Sequence, residues 1–212
     1  MKVVTIVTGP FQENSYLVQD EATGEAALVD PGADAPVLID AIRQSGATLR
    51  AIWLTHAHVD HIGAIAGVKR VWDVPVHMHA DDLPLYRNGA AQAAHFGLGF
   101  EQPPDPDVDL EEDLALPLGQ LRFKVMHAPG HSPGHVVIHG HGAAFVGDCL
   151  FAGSVGRTDL PLSNAADLRQ TLSRIAALPA ATRVLPGHGP ATTVGKEVQS
   201  NPFLVGLAPE YR

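Results

Sequence analysis

The sequence predicts an α/β fold built as a single domain. Segments with a β-strand pattern alternate with segments of helical periodicity, which is typical of helices layered on sheets. A scheme of two strands, a helix and a further strand occurs once in each half of the chain, without clear sequence repetition. The length of 212 residues lies near the usual size of one domain. We therefore assign residues 1–212 to one domain.

The first half of the chain begins with a predicted antiparallel meander. Its β-rich runs are separated by turn residues and cover Val3–Thr8, Tyr16–Gln19 and Ala26–Val29. Apolar residues at helical spacing then predict a helix over Asp34–Ser45, with Gly46 as its stop. The pattern continues with a buried strand, a helix and another strand over Arg50–Leu54, Gly63–Trp72 and Val74–His77.

The second half has the same kind of pattern. Three strands are predicted over Gln120–His127, His135–His139 and Ala143–Val146, and His141 falls in a hairpin turn. Asn164 is a good N-cap for a helix over Ala165–Leu178, and a strand follows at Thr182–Leu185. Leu85–Phe100 interrupts the alternation, and its Ala and Gly content predicts a helix or lid over one edge. Within it, His95 and Phe96 are candidates to line a groove, the alternative being that they only fill the loop.

The net charge of −9 makes nucleic acid and anionic membrane surfaces poor partners. Seven acidic residues lie between Glu101 and Asp113, and the prolines there predict a solvated connector, the alternative being a cation-binding loop. There is no apolar run of the ~18–20 residues that a membrane span needs, nor a signal-peptide pattern. The single cysteine, Cys149, fits a reducing compartment. We therefore expect a cytoplasmic protein.

The most informative feature is the high histidine count, 12 in this short chain. The segment T-H-A-H-V-D-H brings His56, His58, Asp60 and His61 into one loop between a predicted strand and a helix. Three more candidates follow predicted strands among glycines or prolines, namely His131, Asp148 and His188. Imidazole and carboxylate ligands suit zinc, iron or manganese. Five histidines and two aspartates are too many for one tetrahedral ion, so they favour two ions that share a carboxylate.

The motifs THAHVDHIG, APGHSPGH, GDCLF and PGHGP, in that order, resemble the signature of the metallo-β-lactamase superfamily. The resemblance implies a four-layer αβ/βα sandwich with the metals at the edge where the two sheets meet. It also implies a first metal on His56, His58 and His131, a second metal on Asp60, His61 and His188, and Asp148 as the bridge. Asp30, in L-V-D-P-G, matches an early aspartate of the superfamily that supports the ligands from behind.

Two further segments, G-R-T-D-L-P and S-N-P-F-L, resemble the short type II glyoxalases, or hydroxyacylglutathione hydrolases. The resemblance implies hydrolysis of S-(2-hydroxyacyl)glutathione, for example S-D-lactoylglutathione. Longer members carry a C-terminal helical domain that contacts glutathione, and we expect none here because 24 residues follow His188. The alternative is a persulfide dioxygenase with a single iron on the same fold, since such relatives also carry a GRTD-like segment.

Metal-assisted hydrolysis needs no protein nucleophile. Two divalent ions about 3.5–4 Å apart lower the pKa of a shared water towards ~7, so hydroxide becomes available to attack a thioester carbonyl. Asp60 is the catalytic candidate, because it can orient the attacking hydroxide and carry protons. Zinc is the preferred metal, with iron and manganese as alternatives. The expected partner is a small-molecule thioester, and the expected assembly is a monomer or a homodimer.

Three other residues have specific predictions. Arg157 is a candidate for binding a substrate carboxylate, since arginine pairs with carboxylates in bidentate fashion; the structural alternative is an internal pair with Asp159. His135 is expected to pack or hydrogen-bond behind the metals. Cys149 is expected to be a small buried residue behind the site, the alternative being a metal contact.

Overall fold

The computed structural model of the protein describes residues 1–205 and has two six-stranded sheets within that range. The first sheet contains, in spatial order, β1 (Lys2–Thr8), β2 (Glu13–Gln19), β3 (Glu25–Val29), β4 (Thr48–Trp53), β5 (Val76–Met78) and β6 (Val108–Asp109). The first three strands form an antiparallel meander, and the following pairs from β3 to β6 are parallel. The predicted opening meander is therefore confirmed.

The second sheet comes from the second half of the chain. In spatial order it contains β14 (Thr192–Thr193), β13 (Arg183–Pro186), β10 (Ala143–Gly147), β9 (Val136–Gly140), β8 (Leu121–His127) and β7 (Ala115–Leu118). Only β10 and β13 pair in parallel; the other neighbours are antiparallel. A small hairpin of β11 (Leu150–Phe151) and β12 (Ser154–Val155) follows β10.

The helices of the described residues are short. They are α1 (Ala35–Ser45), α2 (Val59–Ile62), α3 (Ile65–Lys69), α4 (Leu83–Arg87), α5 (Gly89–His95), α6 (Ala165–Ala176) and α7 (Val194–Ser200), with a 3-10 turn over Ala80–Asp82. As predicted, α1 ends at Gly46, which has a φ of 67°. Asn164 caps α6 by accepting hydrogen bonds from two backbone N–H groups of its first turn. None of these helices is long and apolar enough to cross a membrane.

The apolar side chains divide into three groups that define four layers. Alternate strand residues such as Tyr16 and Val18 point between the two sheets, where Trp53 of one sheet meets Phe123 of the other at a ring-centroid distance of 5.4 Å. Leu17, on the opposite face of β2, packs towards α1 and α3. The outer face of the second sheet packs on α6. This helix–sheet–sheet–helix arrangement confirms the predicted αβ/βα sandwich.

The helix predicted over Gly63–Trp72 is wrong in its bounds. Helical structure begins earlier, at Val59, and is divided into α2 and α3. The interruption coincides with a contact from another loop, because the backbone N–H of Ala64 donates to the carbonyl of Pro31 (2.9 Å). The Leu85–Phe100 segment also differs in detail: α4 begins at Leu83, and α5 follows directly after Asn88.

The acidic segment 101–113 is not a free connector. Val108–Asp109 forms the edge strand β6, which pairs with β5. Several of the carboxylates pair with arginines of other elements: Glu101 with Arg70, Asp105 with Arg87, and Glu112 with Arg174. All seven acidic residues are exposed, so the predicted exposure is confirmed. The ion pairs and the pairing of β6 with β5 were not predicted. Strands β6, β7, β11, β12 and β14 and helix α7 were not predicted.

Candidate metal centre

The seven predicted metal ligands come together at one edge of the sandwich, where strands of both sheets end. His56 and His58 follow β4, and Asp60 and His61 lie on α2. The other three come from the second sheet and follow β8, β10 and β13, namely His131, Asp148 and His188. The chain therefore folds so that residues distant in sequence lie together.

The first group of three consists of His56, His58 and His131, which offer ring nitrogens within 4.8 Å of one another. The Nδ1 atom of His58 lies 2.9 Å from Nε2 of His131. The other ring nitrogen of His131, Nδ1, lies 2.9 Å from the carbonyl oxygen of Arg157, to which it can donate. That contact orients the ring so that Nε2 faces the group.

The second group consists of Asp60, His61 and His188, with ligand atoms again within 4.8 Å. The Oδ2 atom of Asp60 lies 3.2 Å from Nε2 of His188. Asp148 lies between the two groups. Its Oδ2 is 3.6 Å from Nε2 of His131 and 3.5 Å from Nε2 of His188, and its Oδ1 is 3.5 Å from Nε2 of His61.

The residues present fit a divalent metal. Among the described residues, His56 Nε2, His61 Nε2 and Asp148 Oδ1 are buried without a hydrogen-bond partner. Buried polar atoms are nearly always hydrogen-bonded, so three such atoms in one cluster call for a common partner. Neutral imidazole nitrogen and carboxylate oxygen are the donors that zinc and iron accept. The cluster is therefore a metal-binding site by its chemistry.

Asp30 lies behind the ligand candidates, as the sequence implied. Its Oδ1 accepts from the backbone N–H of Thr55 (2.7 Å), and its Oδ2 accepts from the Thr55 hydroxyl (2.6 Å). The same Oδ2 lies 3.1 Å from Nδ1 of His61, which fixes the orientation of that ring. The backbone of Asp30 has a positive φ of 47°, a conformation that aspartate tolerates better than most residues.

His135 lies behind the site as well. Its ring stacks on that of His56 with a centroid distance of 4.8 Å, and its Nε2 accepts from the backbone N–H of Asp148 (3.1 Å). Cys149 is fully buried, and its Sγ lies 3.4 Å from Nδ1 of His135 and 3.6 Å from the carbonyl of Ala128. The thiol contacts His135 and not the ligand atoms of the two groups. Burial raises the pKa of the Cys149 thiol well above its ordinary value.

The histidines of the site divide into those whose pKa is lowered and those whose pKa is raised. Burial lowers the pKa of His56 well below its usual value, and burial together with the nearby His131 lowers that of His58 to about 4. Burial also acts to lower the pKa of His61, but the carboxylates of Asp148 and Asp60 outweigh it and raise that pKa well above 6.5. Histidines that stay neutral keep a lone pair for a metal.

Glycines let the backbone approach the ligands closely. A Cβ on Gly187 would lie 2.2 Å from Asp148 Oδ1 and 2.7 Å from Cε1 of His61. A Cβ on Gly156 would lie 1.7 Å from the backbone oxygen of Asp148. Any larger residue at either position would therefore displace a ligand candidate.

Sequence reasoning missed Asp82, a fully buried carboxylate that joins two ligand loops. Its Oδ2 accepts from the backbone N–H of Ala57 (2.9 Å) and from the hydroxyl of Ser132 (2.8 Å). Its Oδ1 accepts from the backbone N–H of Gly134 (2.6 Å). Ala57 lies between His56 and His58, and Ser132 follows His131. The hydrogen bonds therefore couple the loops on which the first group depends.

Gln92 of α5 was missed too. Its Oε1 accepts from the backbone N–H of Val59 (3.1 Å), and its Nε2 donates to the carbonyls of Leu85 (2.8 Å) and Ala57 (3.3 Å). This side chain ties the insertion to the ligand loop. The Asp-Asp pair at 81–82 and a lone glutamine have no local pattern that would indicate such roles.

A cavity of about 680 Å³ opens beside the two groups. Five of the seven ligand candidates line it, together with residues of α4, α5 and the loop after β12. His95 and Phe96 are among them, so the predicted groove contacts are confirmed in position. Among the described lining residues, Arg157 is the single arginine or lysine.

Arg157 takes the internal pair that was the structural alternative. Its Nε and Nη2 donate to the two carboxylate oxygens of Asp159 at 2.9 and 3.0 Å. Both side chains are exposed, at 69% and 71%. Arg157 therefore lies at the cavity with its guanidinium already engaged.

A separate cluster joins the two sheets away from the ligands. The rings of His79, after β5, and His127, at the end of β8, stack with a centroid distance of 4.1 Å. Nδ1 of His79 accepts from the backbone N–H of Asp81, and Nε2 of His127 can donate to the carbonyl of Pro133. These contacts give both histidines a structural role.

The sandwich with clustered His and Asp side chains at the common edge of its sheets is the arrangement of a metallohydrolase. A profile of the metallo-β-lactamase superfamily matches residues 8–188, and the chain belongs to that superfamily. The hydroxyacylglutathione hydrolase GloC of Haemophilus influenzae is 35% identical, with 96% of this chain and 98% of that protein covered.

Two solved structures are similar over nearly the whole chain. One is TTHA1623 in a di-iron-bound form, with 45% identity, a TM-score of 0.89 and coverage of 95% of this chain and 100% of that one. The other is BLEG-1, described as a B3 metallo-β-lactamase, with 37% identity, a TM-score of 0.90 and coverage of 97% and 100%. The fold and the superfamily predicted from the sequence are thereby confirmed.

Proposed function

We propose that the protein is a metal-dependent thioester hydrolase of the glyoxalase II kind, acting on S-(2-hydroxyacyl)glutathione such as S-D-lactoylglutathione. The observation that carries the proposal is the pair of three-residue groups that share Asp148 and open into one cavity. The resemblance of the GRTDLP and SNPFL segments to short type II glyoxalases, and the name of the H. influenzae relative, favour a thioester over other acyl compounds.

In this proposal His56, His58 and His131 would hold one divalent ion, Asp60, His61 and His188 would hold the other, and Asp148 lies between the two groups. Zinc is our first choice of metal. Ions held in this way polarise a carbonyl and lower the pKa of water, which supplies hydroxide at neutral pH. The thiolate leaving group has a parent pKa of about 8.5, so it needs little help from a general acid.

Asp60 is the catalytic side chain in this proposal. It lines the cavity with its carboxylate about one-fifth exposed, and its Oδ2 lies 3.2 Å from Nε2 of His188. Burial raises the pKa of Asp60, but His61 and the hydrogen bond from His188 outweigh burial and bring it below 3.8. The carboxylate is therefore ionised at neutral pH, so it can accept a hydrogen bond that orients the attacking hydroxide and can carry a proton during turnover.

Arg157 is proposed to bind a carboxylate of the thiol carrier. A substrate carboxylate would replace Asp159 on the guanidinium. Exposed ion pairs contribute only about 0–1 kcal/mol, so the exchange has a small cost. Arg157 lines the cavity, and its backbone carbonyl contacts His131 of the first group, so its side chain starts beside the ligand candidates.

The test is turnover of S-D-lactoylglutathione by the zinc-loaded protein, measured by released thiol. We expect activity that disappears with chelation, and a fall of about 10²–10⁴-fold in kcat for Asp60→Asn, the range of general-base contributions. Asp40→Asn is the control, because Asp40 is an exposed residue of α1 that is not among the cavity-lining residues. No turnover above the metal-free protein would refute the proposal.

Two other activities are outcomes of the same experiment. Oxygen uptake with glutathione persulfide, together with one iron per chain, would indicate the dioxygenase alternative and contradict thioester hydrolysis as the main function. Hydrolysis of a β-lactam at a higher kcat/KM than any thioester would also contradict thioester hydrolysis as the main function. The similarity to BLEG-1 makes that measurement necessary.

A further inference from the structure

The cavity beside the ligand groups has two chemically different ends. Phe11 lies next to the second group, since its carbonyl oxygen is 3.1 Å from Nδ1 of His188. Arg157 lies next to the first group, since its carbonyl oxygen is 2.9 Å from Nδ1 of His131. Asp148 lies between the two histidines. The backbone of Phe11 therefore lies on the His188 side of Asp148, and the backbone of Arg157 lies on the His131 side.

The phenylalanine end is built from parts distant in sequence. Phe11, in the turn between β1 and β2, meets Phe96, just after α5, edge to face at a centroid distance of 5.0 Å. Leu85 and Ala91 line the same cavity. The two rings are 37% and 52% exposed, whereas Trp53, Tyr86 and Phe123 are fully buried. Exposed aromatic rings that line a cavity are a typical binding surface for an apolar group.

The charged end determines the orientation of the substrate. A glutathione carrier has two carboxylates, and Arg157 is the one arginine or lysine among the described residues that line the cavity. The carrier therefore extends to the Arg157 end, and the acyl group extends to the Phe11–Phe96 end. A lactoyl group offers only a methyl to these rings and leaves them largely exposed to water.

We propose that the Phe11–Phe96 surface is an acyl-binding site and that the protein prefers 2-hydroxyacyl thioesters with an aryl or long alkyl substituent to S-D-lactoylglutathione. The inference rests on the proposed thioester hydrolysis and adds the class of acyl group to it. A tenfold preference corresponds to ~1.4 kcal/mol. Burial of about 55 Å² of apolar surface supplies that energy at ~25 cal/mol per Å², which is well within the area of a phenyl ring.

The test compares S-mandeloylglutathione with S-lactoylglutathione, which differ only by a phenyl group in place of a methyl group. For the metal-loaded protein we expect kcat/KM to be at least tenfold higher for the mandeloyl substrate. Phe96→Ala should reduce the mandeloyl value about tenfold and the lactoyl value less than threefold, and Phe96→Leu should stay near the wild type. Phe203→Ala is the matched control, since Phe203 is equally exposed (52%) and is not among the residues that line this cavity.

A binding measurement separates this inference from the proposed function. Calorimetry should give mandelate a Kd at least tenfold below that of lactate, and Phe96→Ala should remove the difference. If neither thioester is hydrolysed but mandelate binds in this way, the proposed function fails and the apolar site stands. If both thioesters are hydrolysed equally well, or if Phe96→Ala lowers both to the same extent, the acyl-binding site is refuted and the hydrolase stands.

Discussion

Replacement of Asp82 by asparagine should weaken metal binding, although this carboxylate is not itself a ligand candidate. Asp82 is fully buried and accepts three hydrogen bonds, from Ala57, Ser132 and Gly134. In Asp82→Asn the amide oxygen can take the place of Oδ2 and keep its hydrogen bonds from Ala57 and Ser132. The NH₂ group then takes the place of Oδ1. The NH₂ group then faces the N–H of Gly134 across 2.6 Å, donor against donor.

The size of the effect follows from that geometry. At least one charge-assisted hydrogen bond is lost, at a cost of about 1.5–3 kcal/mol in the free energy of unfolding. The loop that carries His131 must also move away from the loop that carries His56 and His58. Residues that orient metal ligands typically change metal affinity by about 10–100-fold when they are replaced. We expect the Kd for the more tightly bound zinc ion to rise within that range.

The assay is competition for zinc between the protein and a chromophoric chelator, with Tm recorded in parallel. Asp20→Asn is the matched control. Asp20 is a buried carboxylate at the end of β2 that also accepts three hydrogen bonds, from Gln120, Ala22 and Thr23, but it does not line the metal cavity. The Asp20→Asn substitution should lower Tm without changing the zinc Kd.

Equal zinc affinities for the wild type and Asp82→Asn would show that Asp82 supports only the fold. The same conclusion would follow if Asp20→Asn weakened zinc binding as much as Asp82→Asn did.

Two further predictions concern the site. Gly156→Ala should lower both the zinc affinity and kcat at least tenfold, which corresponds to ~1.4 kcal/mol. The reason is that the added Cβ would lie 1.7 Å from the backbone oxygen of Asp148. Unchanged zinc affinity and kcat would contradict this close approach. For the metal-free protein, burial lowers the pKa of His56 and His135 well below 6.5, so the unfolded chain alone takes up these two protons as pH falls. The contribution of these two groups to the stability is therefore present above pH 6.5 and is lost as the pH falls below it. Urea unfolding at pH 7 and pH 5.5 measures the change in stability, which should be smaller in His135→Asn than in the wild type.

The parts of the site that could be predicted are those encoded in short segments. His56, His58 and His61 share one loop, and glycines or prolines flank the later candidates, so each residue carried a local signal. Asp82 had no local signal in the sequence, because its role arises from contacts with residues 25, 50 and 52 positions away. The sequence also could not show whether Arg157 pairs with Asp159, since an exposed arginine side chain can point towards the cavity or towards a neighbouring carboxylate.

The errors in the fold have the same origin. The composition of the acidic segment 101–113 indicates exposure, but the arginines that hold it belong to α3, α4 and α6 and their neighbouring turns. The break between α2 and α3 coincides with a hydrogen bond from Ala64 to Pro31, which lies in a different loop. Local pattern therefore defines which elements exist, and contacts between distant segments define where they begin and end.

Both ligand groups draw on both sheets, and this has a consequence for the lifetime of the protein. His58 and His131, 73 residues apart, meet at the edge of the sandwich, as do Asp60 and His188. An ion that binds this folded edge but not the separated chain segments stabilises the protein by an amount that grows with its free concentration, ~1.4 kcal/mol for each tenfold excess over Kd. We therefore expect proteolytic turnover to follow the metal supply, so that starvation for metal shortens the half-life of the chain.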